Sequence, residues 1–102
     1  MAFKKIIPIM YLKDGNAYRT ADCNDLINSL MTPVEIAVKY SENGADEIII
    51  NDLSYDDESH ETAIGIIRQI CKAVDTPVIA GGNVKRVKKK KKYLYAGASV
   101  AF

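Results

Sequence analysis

The sequence contains little cysteine and histidine, and this scarcity excludes several kinds of site. Its 102 residues include two cysteines, Cys23 and Cys71, which lie far apart and form no Cys-x-x-Cys pair. Two scattered cysteines are typical of a reduced, cytoplasmic protein and not of a disulfide scaffold. His60 is the only histidine, and no cysteine lies at ligand spacing from it. We therefore expect no metal site, no catalytic triad and no cofactor.

Long apolar runs and a strong net charge are also missing. No stretch of about 18 apolar residues occurs, so no transmembrane span is predicted. The apolar run near the start is short and leads into Lys13-Asp14-Gly15, which is typical of a strand and not of a signal peptide. The net charge of +1 gives no reason to expect nucleic acid or a membrane as a partner. The five lysines at 88–92 are interpreted as a solvated helix face.

Apolar runs alternate with helical patterns along the chain. Strands are predicted at 5–12, 46–51, 77–80 and 98–102. Helices are predicted at about 32–43, 59–74 and 87–95, and Thr32, Pro33 and Glu35 form a capping box for the first of them. The polar segment 13–31 is read as a loop, long enough to be functional. The order βαβαβαβ predicts an α/β fold with a parallel four-stranded sheet.

A string of short motifs carries a resemblance to a known family. The motifs, in order, are Ile6-Ile7-Pro8, Lys13-Asp14-Gly15, Pro33-Val34-Glu35, Gly44-Ala45-Asp46-Glu47, Asp52, Gly81-Gly82 and Ala96-Gly97-Ala98. This string resembles the N-terminal half of the cyclase subunit of imidazole glycerol phosphate synthase, from the cyclase and isomerase family of histidine biosynthesis. The resemblance covers essentially the whole chain and implies half of a (β/α)8 barrel, as a single domain at 1–102 without the helix after strand four.

The resemblance also assigns roles at the carboxyl ends of the strands, where such barrels hold their sites. Tyr11 stands at the position of the family's catalytic aspartate, and a tyrosine has too high an ordinary pKa for proton transfer near neutral pH. We therefore expect no catalytic residue in this chain. Asp52 matches a polar position that could contact substrate, although a turn aspartate is the simpler interpretation. The expected phosphate-binding turn is Gly81-Gly82-Asn83, with Lys13 and Arg19 at the ligand mouth.

Three functions remain open from the sequence. The first is a non-catalytic half-barrel that self-associates as a homodimer or higher even oligomer, or that serves as a regulatory or interaction domain, with a phosphate or sugar-phosphate site. The second is a cyclase-type enzyme of histidine biosynthesis that needs a second half-barrel. The third is a truncated or engineered barrel fragment. Tyr11 favours the first, because two copies would again present tyrosine and not aspartate at that position.

Overall fold

The computed structural model describes residues 4–82 and 87–102, and for 87–90 the backbone alone. The chain forms a five-stranded sheet in the order β2-β1-β3-β4-β5. The strands are β1 (Ile9–Lys13), β2 (Asn16–Tyr18), β3 (Ile48–Asp52), β4 (Val78–Gly82) and β5 (Val100–Ala101). The helices are α1 (Pro33–Glu42), α2 (Asp57–Ala73) and α3 (Val87–Ala96). This confirms the α/β class and the alternating order that the sequence predicts.

The order of the parallel strands across the sheet shows which kind of α/β fold this is. Strands β1, β3, β4 and β5 are parallel, and each lies beside the next one in chain order. A doubly wound sheet reverses its order partway and places helices on both faces. Here the order never reverses, and the alternating burial of the strands leaves one face of the sheet without a helix. The fold is therefore consistent with half of a (β/α)8 barrel.

Strand β2 lies within the segment 13–31, which the sequence predicts to be a loop. It pairs antiparallel with the end of β1, with Tyr11 opposite Tyr18 and Lys13 opposite Asn16. Asp14 (φ 52°) and Gly15 (φ 80°) both have positive φ, as a two-residue type I′ hairpin turn requires. The hairpin pairs with the outer edge of β1 over Tyr11–Lys13.

The core lies between the helices and one face of the sheet. Helices α1 and α2 begin with capping boxes, at Thr32 and Asp56 respectively. The second box places the start of α2 two residues before the predicted position, because Asp56 caps the helix by accepting from the Ser59 N–H. The buried apolar residues of β1, β3 and β4 that point to the helices are Met10, Leu12, Ile48, Ile50, Val78 and Ala80.

Candidate functional site at the carboxyl end of the sheet

The side chains of the helix-free face form two rows across the sheet. The first, which we call the aliphatic row, is Ile9, Ile49, Ile79 and Val100, four residues that are neighbours in strand register. Ile9 is 45% exposed and Val100 is 51% exposed. Large branched side chains of this kind fill the interior of a closed (β/α)8 barrel in layers. This face of the sheet therefore has the chemistry of a barrel interior.

The second row lies nearer the carboxyl ends of the strands. We call it the mouth row, and it consists of Tyr11, Asn51 and Gly81, again neighbours in register. The ring of Phe102 lies over Gly81, since a Cβ built on that glycine would be 2.5 Å from a ring carbon. Lys13 follows Tyr11 on the same face of β1. The mouth row therefore offers a phenol, an amide and an aromatic ring, with one cation beside them.

Asn51 is a mouth residue that the sequence analysis did not single out. The predicted substrate contact, Asp52, is 1% exposed and shares the helix-covered face with Ile48 and Ile50. Side chains alternate between the faces of a strand, so Asn51 faces the mouth and Asp52 faces away. The run Ile48-Ile49-Ile50 is apolar at every position, so the sequence contains no alternation that would have identified Asn51.

Asp52 is instead the centre of a buried polar cluster on the helix-covered face of the sheet. One carboxylate oxygen, Oδ2, accepts from Tyr93 Oη and from His60 Nδ1, each at 2.8 Å. The other, Oδ1, accepts from the backbone N–H of Ser54 at 2.9 Å. Because a carboxylate only accepts, His60 must carry its proton on Nδ1. Among the described residues, His60 Nε2 is the buried side-chain polar atom without a partner.

The packing of this cluster perturbs the titration of Tyr93. Tyr93 is fully buried, and the His60 ring meets it edge to face with centroids 5.6 Å apart. Burial, followed by the charge of Asp52 and the hydrogen bond to it, raises the pKa of Tyr93 far above its usual 10.0. The native state therefore disfavours the phenolate form.

This shift predicts a loss of stability in alkali. A raised native pKa leaves stability intact below the unfolded value and removes it as the pH rises above about 10. Above that pH, we expect ionisation of Tyr93 in the unfolded chain to lower the free energy of unfolding by about 1.4 kcal/mol per pH unit. Urea unfolding at pH 8 to 11 measures it, with Tyr93→Phe as the control that lacks the ionisable group. Equal slopes for the parent chain and the variant would contradict the prediction.

The predicted phosphate-binding glycines both have packing reasons of their own. Phe102 occupies the space over Gly81, and a Cβ on Gly82 would lie 2.0 Å from the backbone oxygen of Asp52. The third residue of that turn, Asn83, lies outside the described residues. Close strand packing thus explains why glycine occupies both positions. The two glycines alone are therefore not evidence for a phosphate site at this turn.

The predicted basic residues of the mouth differ in their surroundings. Lys13 is partly buried beside the mouth row, on the face that carries Tyr11. Arg19 donates to the backbone oxygen of Ile27 at 3.1 Å and pairs with Asp25, so it holds the loop together. Of the two predicted basic residues, Lys13 is therefore the one that lies beside the mouth row.

An open depression of about 310 Å³ also lies at this end of the sheet. The hydroxyl of Tyr55 donates to Asp14 Oδ1 at 3.0 Å across it. Its lining contains three carboxylates, which repel an anion, so it does not suit a phosphate. The lining residues are Asp14, Tyr55, Asp56, Glu58, Ser59 and Thr62.

Comparison with known proteins agrees with the winding of the sheet and the motif order. The model of the family described as histidine biosynthesis protein matches residues 5–102. The chain belongs to this family. Among curated relatives, imidazole glycerol phosphate synthase subunit HisF of Halalkalibacterium halodurans is 35% identical over 98 residues. The proteins of the same name from Natranaerobius thermophilus and Sulfolobus acidocaldarius are 35% and 31% identical.

The lengths of these relatives differ from that of the chain. Each alignment covers 96% of this chain but only 38% or 39% of the relative. The chain therefore spans about two fifths of the length of the curated relatives it matches. No helix among the described residues is long and apolar enough to cross a membrane, and these residues contain no cluster of metal-ligating side chains.

Proposed function

We propose that this member of the histidine-biosynthesis family is a ligand-binding half-barrel that functions when a second half-barrel covers its open face, supplied by another copy of the chain or by another protein segment. The observation that carries the proposal is the helix-free face itself. It holds a continuous aliphatic row, half-exposed at both ends. Exposed apolar patches of this kind mark interaction surfaces.

The chemistry of the mouth row favours binding over turnover. Neither the mouth row nor the aliphatic row contains a carboxylate, and the one at the end of β3 belongs to the buried cluster behind the sheet. A general acid or base near neutral pH needs a group whose pKa can be brought there. Tyr11 and Asn51 supply hydrogen bonds and contact area, but no such group. A cyclase-type reaction would require both acid and base to come from the second half.

The proposed ligand is a phosphate-bearing small molecule. Lys13 supplies a positive charge beside an uncharged polar and aromatic surface, which suits a sugar phosphate. The family resemblance implies a phosphate site at the turn Gly81-Gly82-Asn83, which begins at Gly81 of the mouth row. The uncharged part of the ligand would then rest on Tyr11 and Asn51.

A titration with inorganic phosphate tests the anion site. The amide resonances of Gly81 and Gly82 report binding, and light scattering on the same samples reports the oligomeric state. We expect Lys13→Ala to weaken phosphate binding roughly fivefold or more. Lys5→Ala, which removes an exposed lysine in the segment before β1, is the matched control and should leave the affinity unchanged.

Two results would count against the proposal. Equal phosphate affinities in the two lysine variants would remove Lys13 from the site. Synthesis of imidazole glycerol phosphate by the chain, alone or mixed with a second half-barrel, would show that Tyr11 does not prevent catalysis.

A further inference from the structure

Asp52 joins three elements behind the sheet. Its carboxylate receives hydrogen bonds from His60 of α2, from Tyr93 of α3 and from the Ser54 N–H where the chain leaves β3. The bond to Ser54 spans two residues and turns the chain out of the strand, as aspartate side chains commonly do. One side chain therefore sets the position of two helices and of the exit from β3.

The same residue also contacts the neighbouring strand through its backbone. Its carbonyl oxygen fills the space where Gly82 lacks a side chain. Asp52 follows Asn51 directly, and Asn51 lies beside Gly81 in the mouth row. A shift of the Asp52 backbone would therefore move Asn51 and the end of β4 together.

Tyr93 is the principal anchor of α3 in this arrangement. It is the largest fully buried side chain among the described residues, and Ala96 is the other buried residue described in this helix. The ion pair between Lys92 and Glu61 also joins α3 to α2, but exposed pairs contribute little. Among the side chains of α3 that the structure describes, Tyr93 is therefore the main attachment to the rest of the chain, and its hydroxyl is bound to Asp52.

We propose that Asp52 is a positioning residue that holds α3 and the carboxyl ends of β3 and β4 in place behind the mouth row. It acts through Tyr93 and through its backbone contact with Gly82, and it touches no ligand. The binding of a ligand by the mouth row rests on the proposed function. The positioning of α3 and of the strand ends is independent of it.

Amide hydrogen exchange of the 102-residue chain tests this positioning. Tyr93→Phe removes one hydroxyl and keeps the packed ring, so the chain should still fold. A hydrogen bond to a charged group contributes roughly a tenfold or larger factor in local opening. We expect amides of α3 and of the ends of β3 and β4 to exchange about tenfold faster, with α1 unchanged. Tyr40→Phe, at a partly buried tyrosine of α1, is the matched control.

The pattern of exchange separates positioning from general stability. Acceleration of all protected amides by the same factor, or no acceleration in α3, would overturn the proposal. Asp52→Asn is a second variant, since it places an amide NH2 or a single oxygen opposite two donors. It should loosen the same segments as Tyr93→Phe and also the start of α2, where His60 binds the same carboxylate. Loosening of α1 would again overturn the proposal.

Inorganic phosphate distinguishes this proposal from the proposed function. If phosphate binds the parent chain, Tyr93→Phe should weaken it several-fold while Tyr40→Phe does not, and equal affinities would contradict the link from Asp52 to the mouth. If phosphate fails to bind the parent chain, the anion site is refuted. Faster exchange confined to α3 and the strand ends would still support the positioning role.

Discussion

Replacing Gly82 with alanine is expected to destabilise the chain by about 3 kcal/mol or more. The added Cβ would lie 2.0 Å from the Asp52 carbonyl oxygen and 2.9 Å from its carbonyl carbon. Both are backbone atoms of the adjacent strand, which pairs Asp52 with Gly82. They move only if β3 and β4 separate, and that separation would also disturb the hydrogen bonds of the Asp52 carboxylate.

Gly65→Ala is the matched control for this change. Gly65 lies inside α2, and a Cβ there meets no atom within 4 Å. Because alanine is a better helix former than glycine, this variant should be more stable than the parent chain by about 0.5–1 kcal/mol. Urea unfolding of both variants measures the contrast. A Gly82→Ala variant as stable as the parent chain would show that the strands tolerate the extra atom.

The outcome at Gly82 also affects how the phosphate site is studied. A substitution there unfolds or distorts the strand end, so lost phosphate binding would not locate the site. Gly81 has a related difficulty, because its missing side chain leaves room for the Phe102 ring. Lys13 is the better position for that experiment.

Adjacent isoleucines on β3 should respond in opposite ways to the same substitution. Ile50 is fully buried against the helices, so Ile50→Asp places an unpaired charge in the core. We expect a loss of about 4 kcal/mol or more, which is most of the stability of a small domain. Ile49 belongs to the aliphatic row on the helix-free face. Ile49→Asp should leave the circular dichroism spectrum and urea midpoint close to those of the parent chain.

The effect of Ile49→Asp should be seen in association. A carboxylate in the aliphatic row would be buried without a partner once a second half-barrel covers it. Light scattering over a dilution series should therefore show the variant as a monomer at concentrations where the parent chain associates. Leu30→Asp, at a residue that is 91% exposed, controls for the general effect of removing an exposed apolar side chain. Association of Ile49→Asp at the parent's concentrations would exclude this face as the interface.

The local sequence determined the elements and their order. Thr32, Pro33 and Glu35 specify the start of α1 because capping depends on neighbours within one turn. Runs such as 48–50 specify buried strands because β-branched residues suit a pleated and covered surface. The motif order predicted the family, and the match over residues 5–102 confirms it. The Asp14-Gly15 turn is equally local, but the polar composition of 13–31 predicts a loop, and the strand that follows the turn has three residues.

Only the tertiary structure decided what Asp52 and its neighbours do. Tyr93 and His60 lie 41 and 8 residues from Asp52 in the chain, and no periodicity predicts a hydrogen bond across such distances. The same holds for the glycines, since the sequence Gly81-Gly82 is common to anion-binding turns and to closely packed strands. Which of these two roles a glycine has depends on the atoms that the fold brings next to it. Here these atoms are the ring of Phe102 beside Gly81 and the backbone of Asp52 beside Gly82.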